Sequence, residues 1–183
     1  SNPIPSALVA TPDQLAPGPF PLIVYSHGSN AIRYLHSAYT EFLASHGYLV
    51  VAPDHTGNTA IDQFTDTEVD RSLTLLNRPR DVRTVIDAML DPESPETVEF
   101  VASIDPEQIT VTGHSLGGFT SYAAVAGYDN ELGSVDPDTR IDAIIPLAPA
   151  VGGEDPDQQL LSDERLAAVG VPVVPSDAWH EVV

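Results

Sequence analysis

Short apolar runs alternate along this chain with stretches of helical period, and turn-forming residues separate them. Leu22-Ile23-Val24-Tyr25 is a continuous apolar run after the Pro/Gly-rich stretch 16–21, and predicts a strand buried on both faces. Ser37 is placed to cap a helix carrying Tyr39, Phe42 and Leu43, which stops at Gly47. Residues 48–52 predict a second buried strand, halted by Pro53. Residues 54–77 are polar and irregular and read as a long surface excursion. Pro79 suits the start of a helix with Val82, Val85, Ile86, Met89 and Leu90 on one face. Residues 91–106, acidic and Pro-rich, predict a loop with one helical turn at most. Residues 109–112 predict a strand running straight into 113–117, and a small-residue helix follows and ends near Gly127. Residues 141–147 predict another strand, and 171–174 begin one more. This alternation is the pattern of the α/β class, a mostly parallel sheet flanked by helices.

Bulk properties narrow the picture. At 183 residues and 42% hydrophobic content the chain can bury one sizeable core, so 1–183 is expected to be a single domain. No apolar run approaches the length that spans a bilayer, which predicts a soluble chain, secreted or cytoplasmic. The first residues show neither a basic nor an apolar signal-peptide region. There is no cysteine, so disulfide and thiolate chemistry are unavailable and the redox compartment is not readable. The formal net charge is −20, and all seven basic residues are arginines. A field of that sign repels phosphate backbones and anionic lipid heads, so no nucleic-acid and no membrane partner is expected. One reading is simply an acidic, highly soluble surface. The sharper and preferred one is halophilic adaptation, in which salt relieves the repulsion of dense carboxylates.

The chemistry concentrates at Gly113-His114-Ser115-Leu116-Gly117, a G-x-S-x-G pattern between a predicted strand and a predicted helix. In a nucleophile elbow the serine sits on a sharp turn, so residues two positions away must be glycine. The helix that starts there aims N–H groups and its positive end at a developing oxyanion. Ser115 is therefore the candidate nucleophile, and the Leu116 N–H one oxyanion donor. Ser26-His27-Gly28-Ser29 follows the first strand, and Ser29 is placed to supply the second donor. His27 reads as a histidine that fixes this loop rather than as a base.

These segments resemble the α/β-hydrolase superfamily. The resemblance is carried by residues 21–28, by Phe42-Leu43-Ala44-Ser45-His46-Gly47 with 48–55, by Arg80-Asp81-Val82 opening a helix, by the elbow, and by residues 144–149. It is nearest to the dienelactone-hydrolase-like, platelet-activating-factor acetylhydrolase-like and cutinase-like polyesterase branches. Serine at position 115, where cysteine would be needed, disfavours dienelactone hydrolase chemistry. Ala148 stands where the acetylhydrolase branch places its acid, which implies an acid after the next strand. The resemblance implies a serine esterase on a fold shortened at its C-terminal end, without the family's last strand and helix.

Only His180 follows the nucleophile, with Asp177 before it and Glu181 after it. The order Ser115, Asp177, His180 is right for this fold, and these two are the expected acid and base. They lie only three residues apart, so an unusual loop is needed for the acid and serine to reach different ring nitrogens. His36 and His46 read as surface or capping residues, His114 as a packing residue, and His55 as lying near the mouth of the site without a partner. Asp62, Asp66 and Asp70, four apart, read as a solvated helix face rather than a cation site. Tyr34, Tyr39 and Trp179 are candidates for an apolar cleft or for the core. The expected activity is hydrolysis of short- to medium-chain esters, polyesters included, with no cofactor and no metal. Two alternatives are a non-catalytic or truncated hydrolase-fold binding protein, and a thioesterase or peptidase using the same nucleophile. Oligomeric state is not readable.

Overall fold

A computed structural model describes Thr11 and residues 15–152 and 159–174. In chain order the elements are β1 (Phe20–Ser26), α1 (Ser37–Ser45), β2 (Leu49–Val51), α2 (Ala60–Thr65), α3 (Arg71–Leu90), α4 (Val98–Val101), β3 (Ile104–His114), α5 (Leu116–Ala126), β4 (Tyr128–Asn130), β5 (Gly133–Val135), β6 (Ala143–Leu147) and α6 (Asp163–Ala167). Four strands form one parallel sheet in the order β2-β1-β3-β6, and β4 and β5 make a separate antiparallel hairpin. Val173 adds a single parallel bridge to Ile144. This is the α/β-hydrolase arrangement of a parallel sheet with helices on it.

The register explains the continuous apolar runs. Val24 pairs with Val111, and Val111 with Ile144, so one row of side chains crosses three strands. Together with Leu22, that row packs against Val82, Ile86 and Met89 of α3 and Ala124 of α5. Alternate residues face the other side, where Tyr25 meets Tyr39 of α1 edge-on and the Tyr39 hydroxyl bonds Thr112. A strand covered on both faces has no polar side, so its sequence shows no alternation. A second cluster, Leu75, Leu76, Leu116 and Phe119 with Tyr128 and Leu161, joins α3 to α5 and the hairpin. Phe119 and Tyr128 meet at 88° with centroids 5.2 Å apart.

Several expectations are corrected. The stretch 54–77 is not an open excursion, because α2 and the first part of α3 lie in it. Thr59 and Asp62 form a reciprocal capping box on α2, and Asp70 accepts from the Ser72 N–H at the start of α3. Pro79 is therefore inside α3, not at its beginning. An interior proline forfeits one ladder hydrogen bond. Burial of Leu75 and Leu76 against α5 offsets that loss and carries the helix back to Asp70. Arg80-Asp81-Val82 is likewise mid-helix. Asp62, Asp66 and Asp70 share no helix face; they are a first-turn capping partner, a left-handed C-cap and an N-cap. His36, not Ser37, holds the N-cap position of α1, with no side-chain capping bond. The hairpin of β4 and β5 follows Gly127, where no strand was expected, and β3 begins five residues before Ile109.

Candidate functional site

The ends of β1 and β3 are neighbours, with Ser26 opposite Gly113, so the loops leaving them lie side by side at the carboxyl edge of the sheet. Ligands of open α/β sheets bind at that edge. Ser115 sits between β3 and α5 with φ 55° and ψ −114°, a left-handed backbone for a non-glycine residue. Such a conformation costs on the order of 1–3 kcal/mol and persists only where its surroundings hold it. Here the Ser115 N–H donates to the Leu147 carbonyl at 2.9 Å. Its carbonyl accepts from Gly118, Phe119 and Ala150 at 2.9, 3.2 and 3.0 Å.

The glycines around it are sterically required. A Cβ at Gly117 would stand 1.9 Å from the Ser26 carbonyl oxygen, and one at Gly113 would stand 2.5 Å from the Gly117 backbone. Gly28 faces the elbow across the gap, where a Cβ would lie 3.8 Å from that of Ser115. Ser29 is exposed and follows directly; Leu116 is buried and opens α5, where first-turn N–H groups lack helical partners.

Behind the loop lies a buried polar network that the sequence did not announce. His55 is 1% exposed; its Nδ1 lies 2.8 Å from Asp81 Oδ2 and its Nε2 2.8 Å from the Ser26 hydroxyl. Burial, then the Arg78 guanidinium and His27, hold its pKa well below the ordinary histidine value. The ring is thus neutral, with Nδ1–H donated to the carboxylate and Nε2 accepting from Ser26. Burial pushes the Asp81 carboxyl up to about 6, against the pull of Arg78. Serine, histidine and aspartate in series resemble a catalytic relay, but Ser26 is fully buried and its hydroxyl points inward. His55 is therefore corrected from a partnerless residue near the mouth to a core residue with two partners. The His55 N–H donates to His27 Nε2 at 3.2 Å, so His27 carries its proton on Nδ1 and donates it to the Gly28 carbonyl at 2.7 Å.

Arg78, 1% exposed, completes the network. Its donors reach the carbonyls of His27 (2.7 Å) and Gly28 (3.0 Å), the Asn58 side-chain oxygen (3.0 Å) and, more weakly, the Ser26 hydroxyl (3.4 Å). Asn58 in turn donates to Asn30 and Ser29. Burial lowers Arg78 to about 9, leaving it cationic at neutral pH. One signal for it was present in the sequence. Positions 75, 78, 79, 82 and 86 lie on one helical stripe, so periodicity alone puts an arginine on the face that is otherwise apolar.

The other expected residues fall as follows. His36 Nδ1 lies 2.7 Å from the Tyr25 hydroxyl and its ring packs on His114; His46 Nδ1 lies 2.8 Å from the Phe42 carbonyl. Among the described residues, no histidine is hydrogen-bonded to the Ser115 side chain, and no His/Asp/Glu cluster suited to a metal occurs. Tyr39 is largely buried, whereas Tyr34 is about half exposed and lines a groove of about 980 Å³ along β2, which Ser115 does not enter. Asp177, Trp179, His180 and Glu181 lie outside the described residues. No helix among the described residues is long and apolar enough to cross a membrane.

Residues 1–163 match the family model described as Chlorophyllase. The chain belongs to the chlorophyllase family. Chlorophyllase-1 of Arabidopsis thaliana is 26% identical, over 74% of this chain and 37% of its own length. The platelet-activating factor acetylhydrolase of Canis lupus familiaris is 29% identical, over 58% of this chain and 32% of its own. Among solved structures, a ferulic acid esterase from Streptomyces cinnamoneus matches with a TM-score of 0.55 and 31% identity, covering 77% of this chain and 42% of that one. The chain thus spans about a third of the length of the curated relatives it matches. These relatives are ester-hydrolysing enzymes of the α/β-hydrolase superfamily, which agrees with the resemblance read from the sequence. The acetylhydrolase branch is among the matches; the chlorophyllases are a branch that reading did not name.

Proposed function

We propose that this chlorophyllase-family chain carries the nucleophile and oxyanion hole of a serine carboxylic-ester hydrolase. The observation that carries the proposal is the left-handed Ser115 held at a strand-to-helix turn, beside the loop that bears Ser29. Ser115 attacks the ester carbonyl, the Ser29 and Leu116 N–H groups receive the oxyanion, and water then releases the acyl-enzyme. Four of the six histidines are engaged by Tyr25, Phe42, Gly28 or Asp81 partners, and His114 packs against His36. That leaves His180, with Asp177, as the base and acid within this sequence. Suitable substrates are short- to medium-chain esters, polyesters included, with an uncharged or cationic leaving part in so acidic a field. Thioester or amide cleavage would use the same groups.

A fluorophosphonate probe tests this reading. It is expected to label the wild type on Ser115 and not to label Ser115→Ala. His180→Ala is expected to slow labelling by roughly a thousandfold, as loss of a general base does. A wild-type chain that resists the probe while folded would instead support the non-catalytic binding protein.

A further inference from the structure

We propose that Arg78 is a positioning residue: from behind the loop it aims and polarises the Ser29 N–H. The inference rests on the reading of Ser29 as an oxyanion donor and adds what holds that donor in place. The carbonyl of Gly28 and the N–H of Ser29 belong to one planar trans peptide, so they point in opposite directions. Fixing the carbonyl fixes the donor. The Gly28 carbonyl accepts from Arg78 Nη2 at 3.0 Å, from His27 Nδ1 at 2.7 Å and, weakly, from the Ala31 N–H at 3.4 Å. The preceding carbonyl, of His27, is held by Arg78 Nη1 at 2.7 Å. Both carbonyls are drawn towards α3, which turns the next two N–H groups away from it. Gly28 meets Ser115 on its other side.

Charge adds to geometry. A buried cation on a carbonyl oxygen draws electron density from its peptide and makes the attached N–H a stronger donor. Arg78 spends its hydrogen bonds on neutral acceptors, namely two loop carbonyls, the Ser26 hydroxyl and Asn58; among the described residues none runs to a carboxylate. Burying a guanidinium is costly for stability unless its donors are matched, and here they are spent on the loop carbonyls and Asn58. What a guanidinium alone provides is a planar fork that holds neighbouring carbonyls while its Nε reaches Asn58, whose amide secures Ser29 and Asn30.

The test is Arg78→Lys in the full 183-residue chain, which keeps the charge but cannot hold both carbonyls and Asn58. With p-nitrophenyl butyrate, kcat is expected to fall roughly ten- to hundredfold, as for a misaimed donor, with KM changed less than about twofold. The deciding readout is the same ester with its carbonyl oxygen replaced by sulfur. Sulfur is larger and a weaker acceptor, so the oxyanion hole aids it little. The oxygen-to-sulfur rate ratio is expected to fall with kcat, and amide exchange over residues 27–31 to quicken while α5 is unchanged. Equal losses on both esters, or unchanged kcat and exchange, would overturn the proposal while leaving Ser115 as the nucleophile. If Arg78→Lys does not fold, Asn58→Ala decides by the same ratio and exchange, since it removes the amide that holds Ser29. A folded wild type inert to both the ester and the fluorophosphonate sinks the Ser115 reading, and this one with it.

Discussion

At the scale of single residues, close approach decides more than chemistry does. Gly117→Ala would drive a methyl into the Ser26 carbonyl, a backbone atom that cannot swing aside. It is expected to cost more than about 3 kcal/mol, read as a loss of soluble folded protein or a large drop in the urea midpoint. Gly28→Ala meets only ordinary contacts, so near-wild-type stability with slowed labelling of Ser115 is expected. Protonation in the buried network has opposing signs. The Asp81 carboxyl, raised by burial to about 6, binds its proton more tightly folded than unfolded, and so adds stability as pH falls from 6 towards 4. His27 and His55, lowered by burial, resist protonation and lose stability over the same descent below 6.5. Asp81→Asn removes the compensating group and also a charge that favours protonated His27, and both changes act in the same direction. Its stability, followed by urea unfolding, is expected to fall more steeply between pH 6 and 4 than that of the wild type; parallel curves would refute the raised carboxyl.

At the scale of elements, the misjudged boundaries share one cause. Pro79 and the polar run before it argue for a late helix start, and they do so correctly as local signals. The Asp70 cap and the burial of Leu75 and Leu76 against α5 outweigh them, because an apolar stripe gains more from packing than one interior bond is worth. The Thr59-x-x-Asp62 box was legible as a start signal, but α2 buries no residue and so leaves no apolar period to accompany it. Caps matter most where packing is absent. Thr59→Ala is expected to cost about 1 kcal/mol, and Asp70→Ala a similar amount, each measured as a shift in the denaturant midpoint with an unchanged slope. A cap that contributes nothing would leave the midpoint where it is.

For the whole molecule, charge is the property with a direct consequence. With a formal net charge of −20, the folded chain concentrates repulsion that the expanded chain relieves. Raising NaCl from 0.1 to 1 M shortens the screening length from about 10 to about 3 Å. The thermal midpoint is therefore expected to rise with salt, by several degrees, in a calorimetric series. A midpoint flat or falling with salt would return the acidic surface to the plain solubility reading.

Local pattern by itself determined the class, the alternation of buried strands and helices, and the strand–turn–helix setting of Ser115. Each of these follows from neighbours within a few residues: apolar runs for β1 and β3, and glycines two positions from a serine. Where His55, Arg78 and Asp81 would lie was decided only by tertiary structure. They are separated by up to 26 residues, and they meet because α3 packs across β1 and brings Arg78 and Asp81 under the loop that follows it. A histidine in an irregular stretch looks exposed until another element covers it. An arginine on an apolar helix face looks misplaced until the carbonyls it binds are folded beside it.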